Sequence, residues 1–244
     1  MTDTVTDTLS AEPIHRILTT SRDHAEYGDM FALDEATLLA GPVLDCAAGA
    51  SDFALRARAV GATVVSVDPL YDSPPHQLSA TVVDELERGT RRAAQVPDLY
   101  DFSWTGGLDA YLARRRHAAE SFLDDYAENW SRPDGGPGHY VAAALPQLPF
   151  KDGSFALGLV PNLLFTYANL FDRAWHAASV REMLRVAPEV RIHPVTDTNG
   201  RPYGELALLL EELAADGIDS RLIDVDYRLH QGPSQTLVCR SARR

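Results

Sequence analysis

A strand–helix–strand pattern near the N-terminus constrains the fold more than any other feature of this chain. Residues 41–72 read GPVLDCAAGASDFALRARAVGATVVSVDPLYD. The apolar segment 43–45 predicts a short buried strand, and the β-branched run 63–67 predicts a second one. Between them, residues 51–60 predict a helix that ends at Gly61. Because such a crossover is right-handed within a parallel sheet, this stretch predicts one βαβ unit of an α/β fold.

The remaining predicted elements alternate in the same way, with one long interruption. A helical pattern covers about 12–40, and two more helices, at about 76–95 and 107–130, separate the second strand from the third. Further strands are predicted at 139–144, 156–160, 189–193, 221–229 and 235–240, and further helices at 173–185 and 202–215. The short turn between the last two strands predicts a hairpin. The chain is therefore expected to form a Rossmann-like α/β fold: a seven-stranded, mostly parallel sheet with a terminal antiparallel hairpin, helices on both faces, and a helical insertion after the second strand.

The predicted organisation is an N-terminal tail and helical segment over 1–40, followed by one α/β domain over 41–244. The insertion, at about 73–138, is far longer than an ordinary connection between strands. It is expected to form either a lid over the site or a packed side domain.

The charge of the chain bears on its partners. The formal net charge is −13, so the surface repels nucleic-acid backbones and anionic lipid. The basic run Arg114-Arg115-Arg116 is followed by acidic residues and is interpreted as a solvated helix face. The N-terminus lacks the features of a signal peptide, and no apolar stretch approaches the ~18 residues that span a bilayer. We therefore predict a small-molecule substrate, no nucleic-acid or membrane partner, and a cytoplasmic location.

The sequence has no pattern typical of a metal site. Cys46 and Cys239 alone cannot provide a zinc spacing, and the eight histidines include no HExxH pair. No metal is predicted.

Four motifs follow one another along the chain: VLDCAAGAS, VVSVDP, LPFKDGSFALGLV and REMLRVAPEVRI. In this order, and with the terminal hairpin, the chain resembles the class I S-adenosylmethionine-dependent methyltransferases over about 40–72 and 139–240. More narrowly, it is similar to a group of uncharacterised bacterial methyltransferase-like proteins. The resemblance implies S-adenosylmethionine as the cofactor and methyl transfer as the reaction.

The resemblance also implies a cofactor loop. The family pattern is roughly D-x-G-x-G-x-G, and its four fixed positions are here Asp45, Ala47, Gly49 and Ser51. Small residues let the backbone pass close to a ligand, and glycine also permits a positive φ. Ser51 is expected to cap the helix that follows.

Further cofactor contacts are expected at the ends of the next two strands. Asp68 ends the second strand, where this fold places an acid that accepts hydrogen bonds from both ribose hydroxyls. Pro69 and Leu70 are expected to line the adenine side, and the backbone near Ala144 and Leu145 is expected to contact the cofactor. Ala144 stands where many relatives carry an acid for the adenine amino group, and Ala156 stands where many carry an aspartate.

The acceptor side of the site is expected after the fourth strand. Positioning supplies much of the rate of methyl transfer, and an oxygen or nitrogen acceptor also needs a base near its proton. Asn162 and Tyr167 are candidates, and His176 is a candidate base for which a structural role is the alternative. Tyr27 and Met30 either close over the cofactor or belong to the core.

A charged group around the fifth strand also has two interpretations. It forms either ion pairs that tie a helix to the sheet or a clamp for an anionic substrate, and its members are Arg181, Arg185, Glu189 and Arg191.

The function predicted is transfer of a methyl group to a small-molecule acceptor. The alternative is a catalytically weak or inactive binding or regulatory protein on the same fold, which Ala47, Ala144 and Ala156 favour. A nicotinamide-dependent oxidoreductase would need G-x-G-x-x-G in the first turn, which this chain lacks. The sequence leaves open which atom accepts the methyl group and which oligomeric state the protein adopts.

Overall fold

The computed structural model describes residues 16–131, 138–232 and 234–241. The predicted N-terminal tail, residues 1 to about 11, lies outside these ranges. The α-helices are α1 (His24–Phe31), α2 (Glu35–Leu39), α3 (Phe53–Ala59), α4 (Pro75–Gln95), α5 (Leu108–Trp130), α6 (Arg173–Val186) and α7 (Leu206–Ala215). The strands are β1 (Val43–Cys46), β2 (Val64–Val67), β3 (Tyr140–Val141), β4 (Leu157–Pro161), β5 (Glu189–His193), β6 (Ile218–Asp224) and β7 (Gln235–Ser241).

All seven strands belong to one sheet, in the order β3-β2-β1-β4-β5-β7-β6. Strand β1 lies between β2 and β4 and is parallel to both, while β3 and β5 continue the parallel pairing outward. Strand β7 is antiparallel to β5 and to β6. The predicted fold class, a mostly parallel seven-stranded sheet with a terminal antiparallel hairpin, is confirmed.

The two faces of the sheet bury separate sets of side chains. Along β1, Val43 packs with α1 and α3 on one face, whereas Leu44 and Cys46 pack with α6 on the other. This alternation is the two-residue period of a strand that is covered on both sides. Gly158 in β4 lets α6 approach closely, because a Cβ there would lie 2.7 Å from Met183 Cε.

Two predicted strands have different bounds in the structure. The strand expected at 139–144 is only Tyr140–Val141, because the chain then leaves the sheet and residues 143–145 line a cavity. The strand expected at 221–229 is Ile218–Asp224. It starts earlier because Gly217, at φ 77°, turns the chain directly into pairing with β7.

The helical pattern at 12–40 also proved more complex than expected. Helix α1 begins only after Asp23, whose side chain forms a capping box with Glu26. Ala32 adopts a left-handed conformation and ends α1, and Asp34 caps the short α2. Residues 17–22 are not helical, and we call them the strap because they run across the loop after β1.

The helical insertion packs against the β3 edge of the sheet. The predicted helices at 76–95 and 107–130 are confirmed as α4 and α5. An aromatic cluster fills the space between them and the sheet and includes Tyr71, Phe122, Tyr126 and Tyr140. The Tyr126 hydroxyl donates to the Tyr71 carbonyl oxygen at 3.0 Å, which ties α5 to the chain after β2.

A cluster of buried charges joins distant parts of the chain. Arg115 of α5 makes two 2.5 Å hydrogen bonds to the Glu26 carboxylate, and Tyr227 donates to the same carboxylate at 2.7 Å. Arg22 donates to the Tyr227 hydroxyl at 2.7 Å and also faces Glu26. Burial acts to raise the pKa of Glu26, but Arg115 and Arg22 outweigh it, and the net shift is downward. We call these four residues the Glu26 cluster.

The Glu26 cluster corrects the interpretation of Arg114-Arg115-Arg116 as a solvated face. Arg115 is buried, and Arg114 pairs with Asp23 and lies over the Trp104 ring. Arg114 and Arg115 therefore attach α5 to the N-terminal segment, whereas Arg116 is exposed as expected.

We expect Glu26→Gln to destabilise the protein strongly. Removal of this one carboxylate leaves two buried guanidinium groups without compensation, which costs about 3–5 kcal/mol of unfolding free energy. Urea unfolding, followed by circular dichroism, measures the loss. The control is Glu87→Gln, because Glu87 and its partner Arg91 are both exposed. This substitution should change the unfolding free energy by less than about 1 kcal/mol. Equal effects of the two substitutions would contradict a structural role for the cluster.

Candidate functional site

The loop after β1 turns sharply beneath a cavity. Ala47 has φ 67° and Gly49 has φ 59°, so two residues of this loop adopt the left-handed conformation. Glycine accepts that conformation without cost, whereas alanine is strained by about 1–2 kcal/mol. The loop thus keeps a backbone shape suited to glycine at a position where the sequence has alanine, and such strain is often found at functional sites.

Gly49 and Asp68 are in direct contact at the cavity wall. The Gly49 amide donates to Asp68 Oδ2 at 3.0 Å, and the Leu70 amide donates to Oδ1 at 3.1 Å. Burial raises the pKa of Asp68, and the Leu70 and Gly49 amides act in the opposite direction. Each carboxylate oxygen retains a lone pair for a further donor. The arrangement holds an acid side chain rigidly at the edge of a ligand-sized space.

The strap crosses the loop at close range. The Ala50 amide donates to the Thr20 carbonyl oxygen at 3.0 Å, and the Asp52 amide donates to that of Arg22 at 3.2 Å. A Cβ on Gly49 would lie only 2.8 Å from the Thr20 carbonyl oxygen. Glycine is therefore required at position 49 both for its φ and for the passage of the strap.

The cavity lies at the carboxyl ends of β1, β2 and β4 and has a volume of about 360 Å³. Parallel sheets bind ligands at this edge, and the volume is within the range of small-molecule sites. The predicted site residues that line it are Ala47, Gly49, Asp68, Pro69, Ala144, Leu145 and Asn162. The structure thus brings together most of the residues that the sequence assigned to a cofactor.

Two predicted cofactor residues lie beneath the loop and do not line this cavity. Asp45 is fully buried and accepts a hydrogen bond from the Tyr27 hydroxyl at 3.1 Å. Ser51 donates to the Arg22 carbonyl oxygen at 2.7 Å and accepts from the Phe53 amide at 3.1 Å. Asp52, rather than Ser51, is the residue that immediately precedes α3. The side chains of Asp45 and Ser51 therefore support the loop from beneath.

The acceptor candidates fall into different environments. Asn162 lines the cavity and has φ 49°, a left-handed conformation in a residue that is not glycine. The Tyr167 hydroxyl accepts a hydrogen bond from the Leu18 amide at 2.9 Å and so anchors the strap. His176 is fully buried among aromatic rings, and burial lowers its pKa to about 4. The structure places Asn162 alone of the three at the cavity wall.

Tyr27 and Met30 belong to the core, in line with the second of their two interpretations. Both are fully buried, and Tyr27 stacks on Phe53 with ring centroids 4.3 Å apart. The charged group around β5 forms ion pairs: Arg181 bonds Glu212 and Asp216, and Arg185 bonds Glu182 and Asp152. Arg191 bonds Glu189 and the Phe31 carbonyl oxygen. These bonds occupy the arginines, and the group does not line the cavity.

The sequence did not indicate two contributors to the site. One is the strap, of which Ile17, Leu18, Thr19 and Thr20 line the cavity, although the periodicity there favoured a helix. The other is His193, the last residue of β5, which lines a small chamber beside Asn162. The sequence signal that could have identified His193 as a site residue is its position at the carboxyl end of a predicted parallel strand.

Residues 16–131, 138–232 and 234–241 contain no group of three or more histidine, cysteine, aspartate or glutamate side chains placed to hold a metal ion. The same residues contain no helix that is both long and apolar enough to cross a membrane.

Comparison with known proteins identifies a relative by sequence and several solved structures of similar fold. An uncharacterised protein of Methanocaldococcus jannaschii is 28% identical over 224 residues, which cover 90% of this chain and 94% of that protein. That relative is archaeal and gives no support to the narrower expectation of a bacterial group. No family model matches the chain.

Two solved structures illustrate the similarity of fold. Magnesium protoporphyrin IX methyltransferase from Synechocystis, with S-adenosylmethionine bound, is 11% identical with a TM-score of 0.44, covering 82% of this chain and 69% of that one. A S-adenosylmethionine-dependent methyltransferase from Aquifex aeolicus is 14% identical with a TM-score of 0.41, covering 88% and 92%. Likeness at this level carries no argument about activity.

We expect Ala47→Gly to stabilise the protein by about 1 kcal/mol, because glycine adopts the left-handed conformation of this position without strain. Thermal or urea unfolding measures the change. The control is Ala50→Gly, three residues on in the same loop, where φ is not positive. That change should destabilise the protein by roughly 0.5–1 kcal/mol. A loss of stability in both variants would show that position 47 is unstrained.

We expect Asp45 to make the protein less stable as the pH rises. Burial raises the pKa of Asp45 to about 8, with the Tyr27 hydrogen bond acting against it and Asp68 adding to it. The unfolded chain releases this proton near pH 4, whereas the folded protein retains it to about pH 8. Unfolding free energy should therefore fall between these values, by at most about 1.4 kcal/mol per pH unit.

The comparison that isolates this effect is Asp45→Asn, whose side chain stays neutral at every pH. The variant should gain stability relative to the wild type as the pH rises from 5 to about 8. Asp219→Asn, at an exposed position on β6, is the control and should follow the wild-type curve. Parallel curves for the wild type and Asp45→Asn would show that Asp45 ionises normally.

Proposed function

We propose that the protein is a S-adenosylmethionine-dependent methyltransferase that acts on a small-molecule acceptor. The observation that carries the proposal is the pairing of Asp68 with the Gly49 amide at the wall of the cavity. An acid at the end of β2 that keeps free lone pairs suits a ribose diol. The resemblance of the sequence to class I methyltransferases points to the same cofactor.

The charges around the cavity suit that cofactor. When bound, S-adenosylmethionine supplies a methyl group on a positively charged sulfonium. Asp68 lines the cavity, while none of the lining side chains is lysine or arginine. An acidic group without basic neighbours favours a cationic ligand. Pro69, Leu70, Ala144 and Leu145 offer apolar surface for an adenine, in the order expected from the sequence.

The chain's own residues contribute mainly by positioning the methyl acceptor relative to the cofactor. Methyl transfer requires the acceptor atom in line with the leaving sulfur, so a rigid wall matters more than an acid or a base. Asn162 provides that wall, since its backbone is fixed by a 2.6 Å hydrogen bond from its amide to the His193 carbonyl oxygen. Ile17 and Leu18 of the strap, together with Phe171 and Trp175, give the cavity an apolar lining that disfavours water.

A second candidate function is a binding or regulatory protein with weak or no catalysis. The specific observation in its favour is Ala144, which lines the cavity where many relatives have an acid. Its carbonyl oxygen already accepts a hydrogen bond from the Gln147 amide at 3.1 Å. Recognition of the adenine amino group therefore has fewer acceptors here than the family pattern provides. Turnover, rather than cofactor binding, separates the two candidates.

The first experiment is calorimetric titration with S-adenosylmethionine and S-adenosylhomocysteine. We expect binding by the wild type and at least tenfold weaker binding by Asp68→Asn, because a hydrogen bond to a charged group is worth about 1.5–3 kcal/mol and 1.4 kcal/mol is a factor of ten. The control is Asp72→Asn, which is exposed and four residues further on. It should bind like the wild type.

The outcomes of this titration have distinct meanings. Binding that Asp68→Asn leaves unchanged would contradict the ribose assignment. An absence of binding in the wild type would contradict the methyltransferase proposal as a whole. Binding without transfer of labelled methyl to any of a broad set of small molecules would favour the second candidate.

A further inference from the structure

A small chamber adjoins the cofactor cavity at Asn162, which lines both spaces. It has a volume of about 30 Å³, enough for a group the size of one or two water molecules. Its wall includes the polar side chains of His193, Thr196, Tyr227, His230 and Gln235 and the apolar side chains of Pro194 and Leu229. It is large enough for a reacting group and too small for a whole substrate.

The His193 ring is held in one tautomer by the core. Its Nδ1 lies 2.9 Å from Thr236 Oγ1, and that hydroxyl donates to the Met30 carbonyl oxygen at 2.5 Å. Because the hydroxyl proton is directed to Met30, Nδ1 must be the donor to Thr236. A neutral imidazole has one donor and one acceptor nitrogen, so Nε2 is left as the acceptor.

The surroundings keep this imidazole neutral. Burial, Arg22 and His230 together lower the pKa of His193 to about 3, while a backbone hydrogen bond at Gln235 and the charge of Glu26 act in the opposite direction. The rings of Phe31 and Tyr227 pack edge-on against it, and Tyr227 connects it to Arg22 and Glu26 of the Glu26 cluster. His230, across the chamber, is likewise kept neutral, since burial and Arg22 lower its pKa to about 4. A neutral acceptor is therefore present at every physiological pH.

We propose that His193 Nε2 accepts a hydrogen bond from a hydroxyl group of the methyl acceptor and thereby holds that oxygen beside Asn162, where the chamber adjoins the cofactor cavity. This inference rests on the proposed function and narrows its substrate class to compounds with a hydroxyl nucleophile. In the transfer, the methyl carbon bonds to the oxygen as its bond to sulfur breaks and the sulfur keeps the electron pair. The hydroxyl proton passes to Nε2 and from there to solvent.

The chemistry favours oxygen over nitrogen as the acceptor atom. A hydroxyl oxygen that gains a methyl group becomes a strongly acidic oxonium, which even a weakly basic imidazole can deprotonate. A methylated amine is an ammonium group, a far weaker acid, and would need a stronger base than His193. A neutral imidazole aimed at the nucleophile thus matches a hydroxyl compound.

Nitrogen NMR of protein labelled with ¹⁵N in its histidine rings tests the tautomer. The His193 signals are assigned by their loss in His193→Gln. We expect the proton on Nδ1 and none on Nε2 in the wild type. Thr236→Val keeps the shape of the side chain but removes the hydroxyl, and it should release the fixed tautomer. The matched control is Thr81→Val, on the exposed surface of α4, which should leave the signals unchanged. A proton on Nε2 in the wild type would overturn the proposal.

The second arm of the experiment probes the chamber itself. With S-adenosylhomocysteine bound, methanol serves as the smallest hydroxyl probe. We expect a saturable shift of the His193 Nε2 signal that is lost in Thr236→Val, with no shift at His176, whose ring lies in the aromatic core. An unresponsive Nε2 signal would mean that the chamber holds water alone, and the proposal would fail while cofactor binding stood. If S-adenosylhomocysteine does not bind the wild type, the proposed function fails, and the acceptor role fails with it.

Discussion

The carboxylate of Glu26 connects three parts of the chain that the sequence keeps far apart. It accepts hydrogen bonds from Arg115 of the insertion and from Tyr227 of the segment that precedes β7, and it forms an ion pair with Arg22 of the strap. Once Arg22 is held there, its carbonyl oxygen accepts hydrogen bonds from the Ser51 hydroxyl and the Asp52 amide. The strap is thereby fixed across the loop after β1, and the loop in turn forms the floor of the cavity. The geometry of the site depends on a charge cluster that does not itself touch the cavity.

The two spaces beside Asn162 differ in their electrostatic character. Asp68 borders the larger cavity, whose lining contains no lysine or arginine, so that space suits a positively charged ligand. The smaller chamber is bordered by two histidines and, through Tyr227, by Arg22. The Glu26 cluster has two arginines for one carboxylate and so places a net positive charge behind this chamber. A cationic donor and a neutral or anionic acceptor would each find a complementary environment.

The sequence predicted the sheet and much of the cavity lining, because both depend on local patterns. Apolar runs and turn residues located β1, β2, β4 and β5, and the strand-end position of Asp68 placed it at the cavity. The strap was missed because Ile14, Ile17 and Leu18 have helical spacing, while tertiary hydrogen bonds to the loop determine its conformation. The chamber was missed because the roles of His193 and Thr236 depend on contact between β5 and β7, which no local pattern reveals.

The long reach of the Glu26 cluster has a consequence for the kinetics of folding. Its hydrogen bonds join residues 89 and 201 positions apart in the chain. Contacts of such separation form slowly, because the entropy of closing a long loop is lost before any contact compensates for it. The pairing of β1 with β2 spans about twenty residues and needs no such closure. We therefore expect the unit of β1, α3 and β2 to assemble early and the strap to settle over its loop late, so that a ligand-competent molecule appears only in the final folding phase.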